Sequence, residues 1–198
     1  MELVERGALD GLTTEEVTAL GPRPGGEVLV SQRADGTPVR LDRDAILERL
    51  QNQIEALEAA GISATLLLCT GSFPPFTHRR PLLCPSEALR GAVLGIAGPE
   101  RLASMVPLEE QFEQGERWWL DQGACDLTQV AADPYAAGAE DAVEEAARRA
   151  AGDGASVLFL DCFGYSGAMR ERARQGFGGT VVAARSLAAR LLAEMAGA

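Results

Sequence analysis

The sequence predicts an α/β protein assembled from two pseudo-symmetric half-domains, each organised around parallel strands, and three observations carry that expectation. Short apolar runs alternate with helix-spaced segments along the chain, the order produced when strands and helices succeed one another. The pattern G-x-S-x5-C-x-G occurs twice, from Gly61 to Gly71 and from Gly154 to Gly164, each time after a helical segment and across a buried strand. With 198 residues, 46% hydrophobic and 24% charged, the chain fills one medium domain or two small ones around one cleft.

Taken in order, residues 2–5 read as a short strand. Thr13 and Glu16 stand at capping-box spacing and open a short helix. The stretch Pro22 to Gly26 breaks the chain. Val28-Leu29-Val30 and Val39-Arg40-Leu41, joined through Asp35-Gly36, then form a hairpin. Asp42 is the expected N-cap of a helix over 43–60, in which Ile46, Leu47, Leu50, Ile54 and Leu57 keep helical spacing. Gly61 stops it, and Thr65 to Leu68 read as a fully buried strand running into Cys69. A loop rich in Pro, Phe and Thr follows, from Thr70 to about Pro81. Beyond it come a helix over 86–96 and a strand over Leu102–Val106.

Pro107, Glu109 and Glu110 suit the start of a helix reaching Leu120. Ala124–Ala131 is the next strand, and the Ala- and Glu-rich segment 137–151 the clearest helix. A strand over Val157–Leu160 ends at Cys162, and a helix begins at Ser166. The last strand is Thr180–Ala183 and the last helix 185–196. The half-domains run over about 1–95 together with the C-terminal 185–198 helix, and over 96–184, within one unit covering 1–198.

A net charge of −11 argues against nucleic acid, because phosphate binding needs clustered Lys and Arg. The same balance disfavours anionic membrane surfaces. No apolar run approaches the ~18 residues of a membrane span, and the N-terminus has no signal-peptide pattern. Four cysteines without a CxxC pair make no disulfide framework, so they read as reduced thiols in a cytoplasmic protein. A single histidine beside them leaves no structural zinc site.

The repeat places Cys69 and Cys162 at equivalent strand ends. Ligands of open parallel sheets sit beyond the carboxyl ends of the strands, and a pseudo-two-fold would set the two thiols across one cleft. Removing and returning a proton at a stereocentre requires one acid–base group on each face of the carbon. Cysteine serves once its pKa, ordinarily ~8.5, is lowered by a helix N-terminus or a cation. The turns containing Gly71 and Gly164 offer N–H groups to a carboxylate, and Thr70, Ser72 and Ser166 add hydroxyls. The plain alternative for each cysteine is a small buried hydrophobe.

Several motifs together resemble the AroM family, within the aspartate/glutamate racemase-like superfamily, whose halves each supply one cysteine. They are Arg6-Gly-Ala-Leu-Asp10, Leu67-Leu-Cys69-Thr-Gly71, Val106-Pro107-Leu-Glu109-Glu110, Leu160-Asp161-Cys162-Phe-Gly164-Tyr165 and Arg185-Ser-Leu-Ala-Ala-Arg190. The resemblance implies a cofactor-independent racemase or isomerase acting on a small carboxylic acid. Cys69 and Cys162 would be catalytic, with Thr70, Gly71, Ser72, Phe163, Gly164 and Tyr165 at the substrate. Two departures stand out. AroM-like proteins usually begin with one further strand and a Thr-Gly, Pro-Arg type turn, so the first half here lacks its N-terminal strand. Phe163 follows the second cysteine where amino-acid racemases carry Thr, and an aromatic or less polar acid fits at least as well. A Cys-dependent lyase or decarboxylase, and a non-catalytic binding or regulatory protein, are the alternatives.

The remaining residues divide between site and scaffold. His78, the sole histidine, reads as a solvated loop residue that could also polarise Cys69. Asp161 should point to the face opposite Cys162 and serve structure. Tyr165 has two readings, a hydroxyl offered to the cleft or a packed ring. Cys84 and Cys125 are core or surface thiols. Asp133-Pro134-Tyr135 either lines the cleft or is a turn. Of Trp118 and Trp119 one packs inside while the other meets solvent or a second copy, so a homodimer is among the expected assemblies.

Overall fold

The computed structural model describes residues 2–197. Thr13 caps helix α1 (Thr14–Ala19) through the expected capping box, its hydroxyl accepting from the Glu16 N–H while the Glu16 carboxylate accepts from the Thr13 N–H. Strands β1 (Val28–Gln32) and β2 (Pro38–Asp42) form the antiparallel hairpin. Its turn holds Gly36 at φ 85°, a left-handed conformation that glycine adopts without strain. The Asp42 carboxylate accepts from the Asp44 and Ala45 N–H groups, capping a short 3-10 turn that leads into α2 (Leu47–Ala59). Strand β3 (Thr65–Leu66) pairs in parallel with β4 (Leu82–Leu83). Next come α3 (Pro85–Ala97), β5 (Leu102–Val106), α4 (Phe112–Asp121) and β6 (Leu127–Ala131). The chain closes with α5 (Ala139–Gly152), β7 (Val157–Leu160), α6 (Gly167–Phe177), β8 (Thr180–Ala183) and α7 (Ala184–Met195).

Three expectations need correction. Residues 2–5 form no strand: Leu3 and Val4 are exposed, and no described strand pairs with them. The strand before Cys69 is two residues long and half-buried rather than four and buried, with Leu68 exposed. Its partner β4 is confined between Pro81 and the helix start at Cys84-Pro85, so the ladder has no room to lengthen. Finally, β6 begins at Leu127 rather than Ala124, because the chain is still leaving α4 there, with the Ala124 N–H on the Trp119 carbonyl.

The chain divides into two compact units. The first holds the chain up to Leu67, Gly71–Leu83 and the chain from Arg190; the second holds Leu68–Thr70 and Cys84–Ala189. In the first unit the buried apolar residues are Val17, Leu29, Leu41, Ile46, Ile54 and Leu57.

The second unit is a parallel four-stranded sheet in the order β6-β5-β7-β8. Alternation along the strands sends Ala103, Met105, Leu158, Leu160, Val181 and Ala183 into a core with α5 and α6. The intervening residues face the other way, where Phe159 meets the buried Trp119 edge-on at 5.9 Å. With both faces covered, the central strands β5 and β7 are buried at every residue, as strands inside parallel sheets are. From β5 the chain goes first to one neighbour, β6, and then returns to the other side of β5 with β7. That reversal makes the carboxyl ends of β5 and β7 a topological switch point, the place where open α/β sheets leave a crevice for ligands. No helix of the described residues is long and apolar enough to cross a membrane.

Candidate functional site

The glycine that opens each copy of the repeat has a local structural cause. Gly61 after α2 and Gly154 after α5 both sit at φ 85°. In each case the next N–H reaches back to a carbonyl in the helix's last turn, Ile62 to Leu57 and Ala155 to Ala150. These are left-handed helix stops. They fix where the following strand starts, and hence where its cysteine falls.

Cys162 lies just beyond β7, at the switch point. The Asp161 N–H still bonds to the Met105 carbonyl of β5, at 2.8 Å, so the strand holds its course to the residue before the cysteine. Alternation then turns Asp161 toward α3, while Cys162 packs against the α5/α6 core. Cys69 and Thr70 belong to the same unit, and the buried Thr70 hydroxyl donates to the Asp161 carbonyl at 3.0 Å. The residue after one cysteine is thus bonded directly to the residue before the other. The sulfurs also sense each other, since the charge of Cys69 is among the causes that raise the Cys162 pKa.

Burial is the largest of those causes. It pushes the Cys162 thiol from 9.0 up to about 12, with added repulsion from Cys69 and Asp161. The Gly164 N–H, 3.3 Å from the sulfur, and Arg185 pull the other way without compensating. The expected lowering by a helix start therefore does not occur at Cys162. Helix α6 opens only at Gly167, and the N–H of its third residue, Met169, is already bonded to the Ser166 hydroxyl. After Cys69 no helix opens before Pro85.

Gly164 permits the tightest approach in the site. A Cβ there would stand 2.6 Å from Pro134 Cγ and 2.8 Å from both Cζ and Oη of Tyr135. The β6 exit loop is held in this position by two bonds. The Tyr165 hydroxyl donates to the Ala132 carbonyl at 2.8 Å, and the Asp133 carboxylate accepts from the Tyr135 N–H at 2.9 Å. Tyr135 therefore faces the Cys162 turn. Burial raises its phenol from 10.0 to about 12, the charges of Cys162 and Cys69 adding to this and Arg185 opposing it. It is a neutral hydrogen-bond donor throughout the physiological range.

The other residues named from the sequence are placed as follows. Tyr165 is buried and its hydroxyl is taken by Ala132, so it fastens the loop rather than presenting a hydroxyl to a ligand. Phe163 is buried and Gly164 half-buried. Gly71 and Ser72 belong to the first unit, where Arg43 donates to the Ser72 carbonyl. His78 is exposed and bonds to the Arg80 carbonyl. Asp161 forms a buried ion pair with Arg90 at 3.3 Å, and Arg90 lies over the Trp118 ring at 4.2 Å. Trp119 is fully buried and Trp118 half-buried. Cys84 is half-buried with its pKa raised by burial and by Glu87, and Cys125 is exposed. Among the described residues no cluster of His, Cys, Asp and Glu could hold a metal ion.

Reading from sequence assigned no role to Arg185. It stands in the first turn of α7, and its charge acts on both Cys162 and Tyr135. Its signal was available in the repeated strand–residue spacing, two residues past a parallel strand end, as Cys162 is.

The family model described as AroM protein matches residues 1–196. No curated protein matches the sequence. Among solved structures, the chain is similar to Picrophilus torridus aspartate racemase, with a TM-score of 0.58 and 16% identity over 77% of this chain and 70% of that one. It is also similar to allantoin racemase from Klebsiella pneumoniae, with a TM-score of 0.63 and 16% identity over 92% of this chain and 80% of that one. At such identities the likeness is one of fold.

Proposed function

Since the chain belongs to the AroM family, with a racemase-like α/β fold, we propose that it is a cofactor-independent racemase or isomerase of a small carboxylic acid, with Cys69 and Cys162 as opposed acid and base. One observation carries the reading: the Thr70 hydroxyl on the Asp161 carbonyl couples the two cysteine-bearing segments at the switch point of a parallel sheet. One thiolate takes the hydrogen from the carbon next to the carboxylate. The C–H bond breaks, and its electron pair moves into the carboxylate as an enediolate. The opposite thiol then gives its proton to the other face of the same carbon. One proton has entered one sulfur and one has left the other, and the stereocentre is inverted. The high pKa of Cys162 keeps its thiol protonated at neutral pH, the form that gives a proton.

That same pKa favours a second reading, a lyase or decarboxylase in which Cys162 is a lone proton donor. The experiment that separates them is α-hydrogen exchange in deuterium oxide, without added metal or coenzyme, over single enantiomers of 2-substituted carboxylic acids. An isomerase exchanges and inverts, and both Cys69→Ser and Cys162→Ser abolish inversion. In a lyase only one of the two substitutions is severe. If the parent exchanges no acid tested and both variants match it in ligand binding, the catalytic reading is wrong and the cleft is a binding site.

A further inference from the structure

We infer that Arg185 is the carboxylate anchor of this site. The inference uses the proposed function for the reaction but not for the anion site, which stands on its own observations. Strands β7 and β8 are parallel neighbours with Leu160 opposite Ala183. Cys162 and Arg185 each lie two residues past that pair, so both emerge at the same edge of the sheet from strands about 4.8 Å apart. Arg185 is exposed and has no ion-pair partner among the described residues. The other arginine nearby, Arg90, is committed beneath the sheet end to Asp161 and Trp118. The Arg185 charge acts on Cys162 and on Tyr135 alike.

The chemistry of the group fits the task. A guanidinium offers a planar pair of donors that matches a carboxylate and stays charged at any working pH. Tyr135, held over Gly164, adds a neutral donor to the same region. When the α-carbon loses its proton the new charge spreads onto the carboxylate oxygens, so donors placed there bind the transition state better than the substrate.

The test uses two alkylating reagents of nearly equal size, iodoacetate and iodoacetamide, which differ in carrying a carboxylate or a neutral amide. Each is reacted with the full chain near pH 8, and alkylation of Cys69, Cys162 and the exposed Cys125 is followed by peptide mass spectrometry. Dividing by Cys125 removes the reagents' intrinsic difference. We expect the normalised iodoacetate-to-iodoacetamide ratio at Cys69 or Cys162 to be about five-fold above unity, the size of one exposed charge pair. It should fall to about one in Arg185→Gln and be largely kept in Arg185→Lys. A ratio of one in the parent, an unchanged ratio in Arg185→Gln, or no alkylation of either cysteine by either reagent overturns the inference. The two readings fail separately. A parent with the charge preference but no α-hydrogen exchange keeps the anion site and loses the isomerase. Full exchange in Arg185→Gln keeps the isomerase and loses the anchor.

Discussion

Asp161→Asn should both destabilise the protein and make Cys162 more acidic. In the parent, Asp161 Oδ2 lies 3.3 Å from Arg90 Nη2, 3.4 Å from its Nε and 3.5 Å from the Ser104 hydroxyl, all buried. Removing one partner of a buried ion pair costs about 3–5 kcal/mol, because the other charge is left without compensation. The lower end applies here. The contacts exceed the ~2.8 Å of a strong charge-assisted bond, the asparagine oxygen can still accept from Arg90, and the guanidinium keeps the Trp118 face at 4.2 Å. A loss of about 3 kcal/mol corresponds to a Tm lower by roughly 6–12 °C for a chain of this length. Adding Arg90→Met should recover about half of the loss, since no charge then remains buried. Because the Asp161 charge is one cause of the high Cys162 pKa, its removal should shift the alkylation profile of Cys162 to lower pH. Thermal melts and alkylation rates against pH measure the two effects. A Tm within about 2 °C of the parent refutes the ion-pair argument, and an unmoved Cys162 profile refutes the electrostatic one.

Thr70→Val removes the hydroxyl while keeping the shape, leaves the Asp161 carbonyl short of a donor, and should cost about 1–2 kcal/mol in urea denaturation. Thr70→Ser should recover most of it, and equal losses in the two variants would show that methyl packing is what matters. Alkaline pH should destabilise the protein partly through Cys162. Between its ordinary 9.0 and its folded value of about 12, the unfolded thiol has lost its proton while the folded one keeps it, so stability falls as pH rises, by up to about 1.4 kcal/mol per pH unit. Tyr135 joins only above its ordinary 10.0. Cys162→Ala should therefore flatten the stability profile between pH 9 and 10 relative to the parent, and parallel profiles would contradict the assigned burial.

Legibility from sequence followed how locally each feature is determined. The capping box at Thr13, the hairpin around Gly36 and the strands Leu102–Val106, Val157–Leu160 and Thr180–Ala183 all emerged where residue pattern alone placed them. The face of Asp161 opposite Cys162 also followed from alternation. What escaped depends on partners distant in the chain. Leu82–Leu83 carries no period of its own and is a strand only because Thr65–Leu66 lies beside it. Residues 2–5 have strand composition but no partner strand among the described residues. The Tyr165 hydroxyl is taken by Ala132, 33 positions away, and the Arg185 charge reaches Cys162 only because β7 and β8 are neighbours. Thiol acidity escapes the sequence for the same reason: proximity to turns points to stabilising N–H groups, while the enclosing protein that desolvates Cys162 is a property of the whole unit.

A high thiol pKa looks at first unfavourable for acid–base chemistry at a cysteine, yet a two-thiol site needs one proton on the pair at rest. If both sulfurs were ionised, nothing could reprotonate the carbanion; if both were protonated, nothing could begin. Two coupled groups solve this when the charge of one raises the pKa of the other, so that the pair loses its protons in two well-separated steps. The repulsion from Cys69 written into the Cys162 pKa is that coupling, and burial raises the same thiol further. On the proposed reading, Cys162, whose thiol stays protonated at neutral pH, is the sulfur that gives a proton first. Each inversion moves the proton to the other sulfur. The Arg185 charge acts on Cys162, where it lowers the cost of the step in which that thiol gives its proton up.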